Sequence, residues 1–402
     1  MNRRPRNSAA AFFFALIGFA DAASPAPATD HAVTLSAGCV VHGFRLPGLV
    51  PVATFDAGDC ATAAAVRSVD QSAVFIGTRD GELLKLATPE LGVTRRRPVD
   101  GRVMQLFAPD SAPLLLAVVG TPSGAQRLLV LDRDSLATLR EVPLQDRLGD
   151  RLFISRIAES TYRNSVLLAF GDAPELWELF LAPDAAPVFE GLVHDYRMGE
   201  AISEPARLPI RRIRTGHSFD DFLVEPDSPH LMVRQRSGEG ARRVRRFNLD
   251  VRRPVAEFHP DTEPMLSSAI TVSQAGQRLL LAPTPQGVQL YRMPLMTPIG
   301  PIDLTGDGCR IASPLHKQWA VLWACGGDDA RRLSIIDAAS WRVMAVLDAG
   351  ENGAIRQLAI DSAARRVLVA SSAGMLVSYR TDEWCRDGQA RLEQLRAAWL
   401  YP

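Results

Sequence analysis

Ala73-Val-Phe-Ile-Gly-Thr-Arg-Asp-Gly-Glu-Leu-Leu-Lys-Leu86, followed by Val93-Thr-Arg-Arg-Arg97, decides the fold. An apolar run ends in a Gly-containing turn, an alternating run follows, and a polar turn leads into a charged third run. Alternation with period two puts one face of each run inward, and Asp-Gly closes a hairpin because glycine accepts the positive φ such turns need. The same unit returns at Leu114–Val119, Arg127–Leu131 and Leu136–Val142. It returns again at Arg278–Ala282 with Gly287–Arg292, at Ala320–Cys325 with Arg332–Asp337 and Trp341–Leu347, and at Arg366–Ala370 with Gly374–Arg380.

With copies near 166–190 and 230–258 and an incomplete one at Ala32–Ala57, the repeats number about eight, spaced by roughly 45 residues, the blade period of a propeller. The expected fold is therefore an all-β, eight-bladed β-propeller of WD40/YVTN-like repeats, with seven blades as the alternative count. Leu114-Leu-Leu-Ala-Val-Val119 is apolar on both faces, as a middle strand between two blades must be. Val93–Arg97 is charged, as an outer strand that must not pair with strangers should be. The incomplete first copy and the last copy are expected to share a blade and close the ring. Trp384, Leu392, Leu395 and Trp399 follow helical spacing, which predicts a short C-terminal helix over 382–402.

The first residues read as a targeting segment. Arg3, Arg4 and Arg6 precede a 12-residue apolar run, Ala9–Ala20, and Ala20-Asp21-Ala22 offers small residues at a cleavage site. A Sec signal peptide over 1–22, a linker over 23–31, the propeller over 32–381 and the helix over 382–402 are the expected organisation. The apolar run is too short to span a bilayer, so no membrane insertion is expected and the mature chain should be periplasmic or secreted. Export permits disulfides. Cys39 and Cys60 flank Pro47-Gly48 symmetrically, and Cys309 and Cys325 flank the turn at 314–317, so Cys39–Cys60 and Cys309–Cys325 are the expected bridges, leaving Cys385. Acidic and basic residues balance at 45 each, which excludes a strong field toward nucleic acid.

No GxSxG elbow, P-loop, HExxH or CxxCH occurs in the chain, and independent turnover is not expected. The longest irregular stretch, 191–216, is expected to run from the fourth blade to the fifth. With His217 just beyond it, it gathers His194, Arg197, Arg212 and Arg214, groups able to bind a metal or clamp carboxylates.

The stretch Thr62–Leu86 resembles the early blades of the cytochrome d1-haem domain family, and Pro174-Glu-Leu-Trp-Glu-Leu-Phe-Leu-Ala-Pro-Asp184 resembles its middle blade. That family includes the haem domain of dissimilatory nitrite reductase and a related periplasmic propeller that assists d1-haem assembly. The resemblance runs from about residue 32 to 384. It implies an eight-bladed ring holding haem d1 or a related tetrapyrrole in its channel, on a histidine and on arginines at the carboxylates. Carried onto this chain, it makes His217 or His194 the iron ligand and Arg197, Arg212 and Arg214 the carboxylate partners. The chain lacks an electron-donating haem domain, so nitrite reduction itself is not implied. It also has Cys60 where the assembly branch tends to have a histidine. The alternative function is a cofactor-free scaffold binding another exported protein.

Overall fold

The computed structural model describes residues 31–401 except 186–206, 235–242 and a number of stretches of six residues or fewer. The expected signal segment, His194 and Arg197 lie outside the described residues. Among the described residues the chain forms eight four-stranded antiparallel sheets, each a blade. Blades 2 to 8 are built from consecutive strands. Blade 1 takes its second to fourth strands from His31–Ser36, Val40–Arg45 and Val50–Asp56, and its first from the far end of the sequence, Leu395–Tyr401. The eight-blade expectation and the shared closing blade both hold.

The buried side chains show why the ring must close. They fall into eight apolar clusters, and each cluster joins one blade to the next. The middle strand Leu114–Gly120 explains how: Leu114, Leu116 and Val118 pack toward blade 4, and Leu115, Ala117 and Val119 pack toward blade 2. A period of two on a strand buried on both sides demands an unbroken apolar run, which is what the sequence supplies. Gly81, in the turn quoted above, stands at φ +89°, and a Cβ there would lie 2.6 Å from the carbonyl oxygen of Val99. Glycine is required because this turn presses on the crossing from blade 2 to blade 3.

First strands line the inside of the ring. Cys60–Arg67 lies against Arg102–Phe107, Ile154–Ser160 against Asp221–Val224, and Ile355–Ile360 against Leu395–Tyr401, whereas no two fourth strands make comparable contact among the described residues. We call the face at which first strands begin, and where the chain crosses between blades, the upper face.

The expected C-terminal helix is corrected: 382–402 contains two strands, Cys385–Arg391 and Leu395–Tyr401. The latter pairs with His31–Ser36 in the order Ala32↔Leu400, Val33↔Trp399, Thr34↔Ala398. Without it, the backbone of His31–Ser36 would present an open edge inside the ring, and satisfying that edge overrides the helical spacing.

The long connection is also relocated. Ile210–Arg214 is the fourth strand of blade 4, paired with Glu175–Phe180. The stretch 182–209 therefore joins the third and fourth strands of one blade, at the lower face, and does not link blades 4 and 5.

Cys39 is disulfide-bonded and buried. It does not face Cys60 across one hairpin, because Cys60 begins the first strand of the next blade. The backbone brings the two near each other through the Ala57 N–H, which donates to the Cys39 carbonyl at 3.0 Å. Cys309 lies in a bulge opposite Ala324, next to Cys325. The side chains of Cys60, Cys309 and Cys325 lie outside the described residues. No helix among the described residues is long and apolar enough to cross a membrane.

Candidate functional site

The upper rim of the inner ring is built differently from the rest of each blade. Near the upper end of the first strand, five blades insert one residue that has no partner on the second strand. These residues are Met104, Ser155, Cys309, Arg356 and Arg396. Blade 2 sets Ala61–Ala64 opposite the single residue Gly77. A bulge breaks the alternation and re-aims a side chain, and bulges gather at rims and sites. On an inner strand the only solvent is the channel and its mouth. Met104, 38% exposed, is therefore open to that mouth, and Phe153, 43% exposed, stands on the same face one residue before the first strand of blade 4.

Blades 5 and 6 keep a regular register here, and blade 5 carries charge, with Asp221 opposite Arg234. Arg156, on the first strand of blade 4, stacks its guanidinium 4.9 Å from the centre of the Phe222 ring and lies 3.7 Å from an Asp221 oxygen. Burial lowers the Arg156 pKa to about 10, with Asp221 acting in the opposite sense, so it remains a cation at neutral pH. Asp221 is buried and accepts the N–H groups of Leu266 at 2.8 Å and Ser267 at 2.6 Å. It thereby holds the short 3-10 helix Leu266–Ser268, within the crossing from blade 5 to blade 6, against the first strand of blade 5. Arg234 completes the group. It lies 3.5 Å from Asp221 and 2.8 Å from Glu263, and donates to the Pro264 carbonyl at 3.2 Å.

The mouth is thus two-sided. An apolar lip, Met104 and Phe153, stands on blades 3 and 4, and guanidinium groups ordered by carboxylates and backbone stand on blades 4 and 5. Such an arrangement suits a flat apolar body with anionic substituents.

The expected site residues fall elsewhere. Arg212 and Arg214 are on the fourth strand of blade 4, at the outside of the ring. Arg212 lies 4.3 Å over the Trp177 ring and donates to the Gln145 carbonyl at 3.2 Å, and Arg214 is exposed. His217 is exposed in the crossing from blade 4 to blade 5. It borders a small cleft with Phe219, Val233, Arg245, Phe247 and Pro254, over the second to fourth strands of blade 5. None of the three is on the inner ring. Reading 191–216 as one loop hid the strand Ile210–Arg214, whose Ile210 and Ile213 are buried. The residues that do meet at the rim carried a weaker signal: a single charge in an otherwise short apolar strand, as in Ile154-Ser-Arg-Ile-Ala158 and Asp221-Phe-Leu-Val224.

The rim offers a tetrapyrrole partners for both its carboxylates and its ring. Arg156, Arg234 and Arg102, the last at the upper end of the first strand of blade 3, fit its carboxylates. Met104 and Phe153 fit its ring. No described histidine stands on a first strand, so nothing here assigns an iron ligand.

No family model matches the chain. It is 24% identical over 254 residues to the dihydro-haem d1 dehydrogenase of Pseudomonas aeruginosa, covering 63% of this chain. The match covers 44% of that relative, so the chain spans less than half of its length. A solved dihydro-haem d1 dehydrogenase, NirN in complex with DHE, superposes with a TM-score of 0.74 at 18% identity, covering 96% of this chain and 77% of that one. BamB from Moraxella catarrhalis superposes with a TM-score of 0.53 at 16% identity, over 88% of this chain and 91% of that one. The likeness in fold, together with the distant likeness in sequence, makes the chain a β-propeller similar to the dihydro-haem d1 dehydrogenases.

Proposed function

We propose that this chain is an exported propeller that holds a carboxylated tetrapyrrole of the d1 type at the upper mouth of its channel, as a binding or assembly protein without turnover of its own. The observation that carries the reading is the two-sided rim, an apolar lip facing a set of guanidinium groups, in a fold like that of a dehydrogenase solved with DHE. Arg156 and Arg234 pair the carboxylates. Asp221 keeps both guanidinium groups in place, and Met104 with Phe153 covers the macrocycle. The bound group supplies redox chemistry and colour, and the protein supplies position and exclusion of water. The signal segment and the two disulfides belong to the same reading, since both fit an oxidising compartment.

Titration of the purified chain with haem d1, with protoporphyrin IX and with octaethylporphyrin tests it. The first two should bind at one site per chain with a shifted visible spectrum. Octaethylporphyrin, which has no carboxylates, should bind far more weakly. Arg156→Gln and Arg234→Gln should each weaken binding of the carboxylated rings by about 1.5–3 kcal/mol, the range for a hydrogen bond to a charged group. Absence of any spectral change with haem d1 and protoporphyrin IX defeats the reading.

A further inference from the structure

The outer edges of the blades are unequal. A fourth strand exposes a row of unpaired N–H and C=O groups, and proteins protect such edges with basic side chains or proline. Seven of the eight fourth strands carry that protection: Pro51, Arg95–Arg97 with Pro98, Arg140 with Pro143, Arg211 with its neighbours, Arg253-Pro254, Pro298 with Pro301, and Arg386 with Arg391. The eighth, Val343-Met-Ala-Val-Leu-Asp348 of blade 7, has neither within its bounds. The bulge at Met344 does not set it apart, because the fourth strands of six other blades carry a bulge at their second or third residue.

This edge is also matched to itself. Its exposed residues are Arg342, just before the strand, then Met344, Val346 and Asp348, with Met344 56% and Val346 47% exposed. Read outward from Ala345, the order is cation, apolar, apolar, anion. An antiparallel pairing of two copies about Ala345 sets Met344 against Val346 and Arg342 against Asp348, each twice. Directly opposed apolar and opposite-charge pairs are the favourable cross-strand combinations, and a two-fold axis repeats them without further requirement.

We propose that this strand is a self-association edge, through which two copies of the chain join blade 7 to blade 7 in one continuous eight-stranded sheet. A six-residue edge buries less than the ~1,200 Å² of a standard interface, so the association is weak and concentration-dependent. It does not rest on the tetrapyrrole reading, since the edge lies outside the ring.

Sedimentation velocity of the full chain, from low micromolar to sub-millimolar concentration and without tetrapyrrole, tests it. The expected result is a reversible shift from one-chain to two-chain mass. Val346→Lys should abolish the shift while leaving the far-ultraviolet circular dichroism and melting midpoint unchanged. Arg342→Asp should weaken association at least tenfold, and Arg342→Asp combined with Asp348→Arg should restore it. A single one-chain species at every concentration leaves the edge to a strand of another protein and overturns the proposal. Unaltered association of Val346→Lys, or failure of the charge swap to restore it, overturns it as well.

Discussion

Glu178 and Glu225 sit between blades with guanidinium groups around them, and they bind the ring where apolar packing does not reach. Glu178 is fully buried on the third strand of blade 4. It takes Arg163 Nε at 2.5 Å and the Ser165 hydroxyl at 3.0 Å, and Arg211 from the adjacent strand. Arg163 continues to Asp250 of blade 5, so one carboxylate ties two blades. Glu178→Ala leaves two largely buried cations without their partner. It should cost about 3–5 kcal/mol in chemical denaturation, the range for breaking a buried pair from one side. Glu225 shows the same design with a pH signature. Burial disfavours its charge, but hydrogen bonds from Arg246 at 2.6 and 2.8 Å and from Ser228 outweigh that, and its pKa lies below the ordinary 4.5. A lowered folded pKa means the folded state binds fewer protons, so the stabilisation is present above the unfolded pKa and lost as pH falls through the folded one. The gap in unfolding midpoint between the native chain and Glu225→Gln should therefore be widest near neutral pH and close below pH 4.5. A gap that persists at low pH would show that the charge is not responsible. These roles were hard to read from sequence, because Arg211, Arg212 and Arg214 look alike on the page. Pairing with Glu175–Phe180 sends Arg211 to Glu178, Arg212 to Trp177 and Arg214 to solvent.

Among the elements, the closing strand Leu395–Tyr401 shows where local pattern stops being informative. Turns and alternating runs are local, so the blades could be counted from sequence. Whether Leu395-Arg-Ala-Ala-Trp-Leu-Tyr401 becomes helix or strand depends on a partner more than 350 residues away, and only His31–Ser36 settles it. Deleting 395–402 removes the first strand of blade 1 and opens the ring at its closure. The expected outcome is a broad, low-temperature transition in calorimetry, because each cluster is buried only by its neighbour. A sharp, near-native transition would mean that the other three strands of blade 1 close the ring unaided. Cys39 reinforces the same region. Its bridge, assigned here to Cys60, fastens blade 1 to blade 2 beside the closure. Closing a loop of about 20 residues should contribute roughly 3 kcal/mol. Peptide mapping of the oxidised chain should recover Cys39 linked to Cys60, and Cys39→Ser should lower the unfolding free energy by about that amount. Recovery of Cys39 joined to any other cysteine contradicts the assignment.

For the molecule as a whole, balanced charge makes salt a means of locating the binding site. With 45 acidic and 45 basic residues there is no net field to draw an anionic ligand from a distance. Arginine-rich outer strands such as Val93–Pro98 do offer exposed cations, and a carboxylated ring bound there would be held by screened surface charge. At the rim, by contrast, Arg156 and Arg234 are largely shielded from solvent and already ordered by Asp221, so their attraction is screened much less. The ring itself would be held by apolar contact with Met104 and Phe153, which salt does not weaken. Binding at the rim should therefore change little, within about threefold in Kd, as ionic strength rises from roughly 0.05 to 0.5 M, a range in which the Debye length falls from about 14 to 4 Å. Binding at the outer strands should weaken by more than tenfold over the same range. Absorbance titration of the native chain with protoporphyrin IX across that series decides between them, with Arg95→Ala/Arg96→Ala as the control that should leave rim binding unchanged. A steep salt dependence removed by those two substitutions would place the ligand on the outside of blade 2, and the two-sided mouth would lose its assignment.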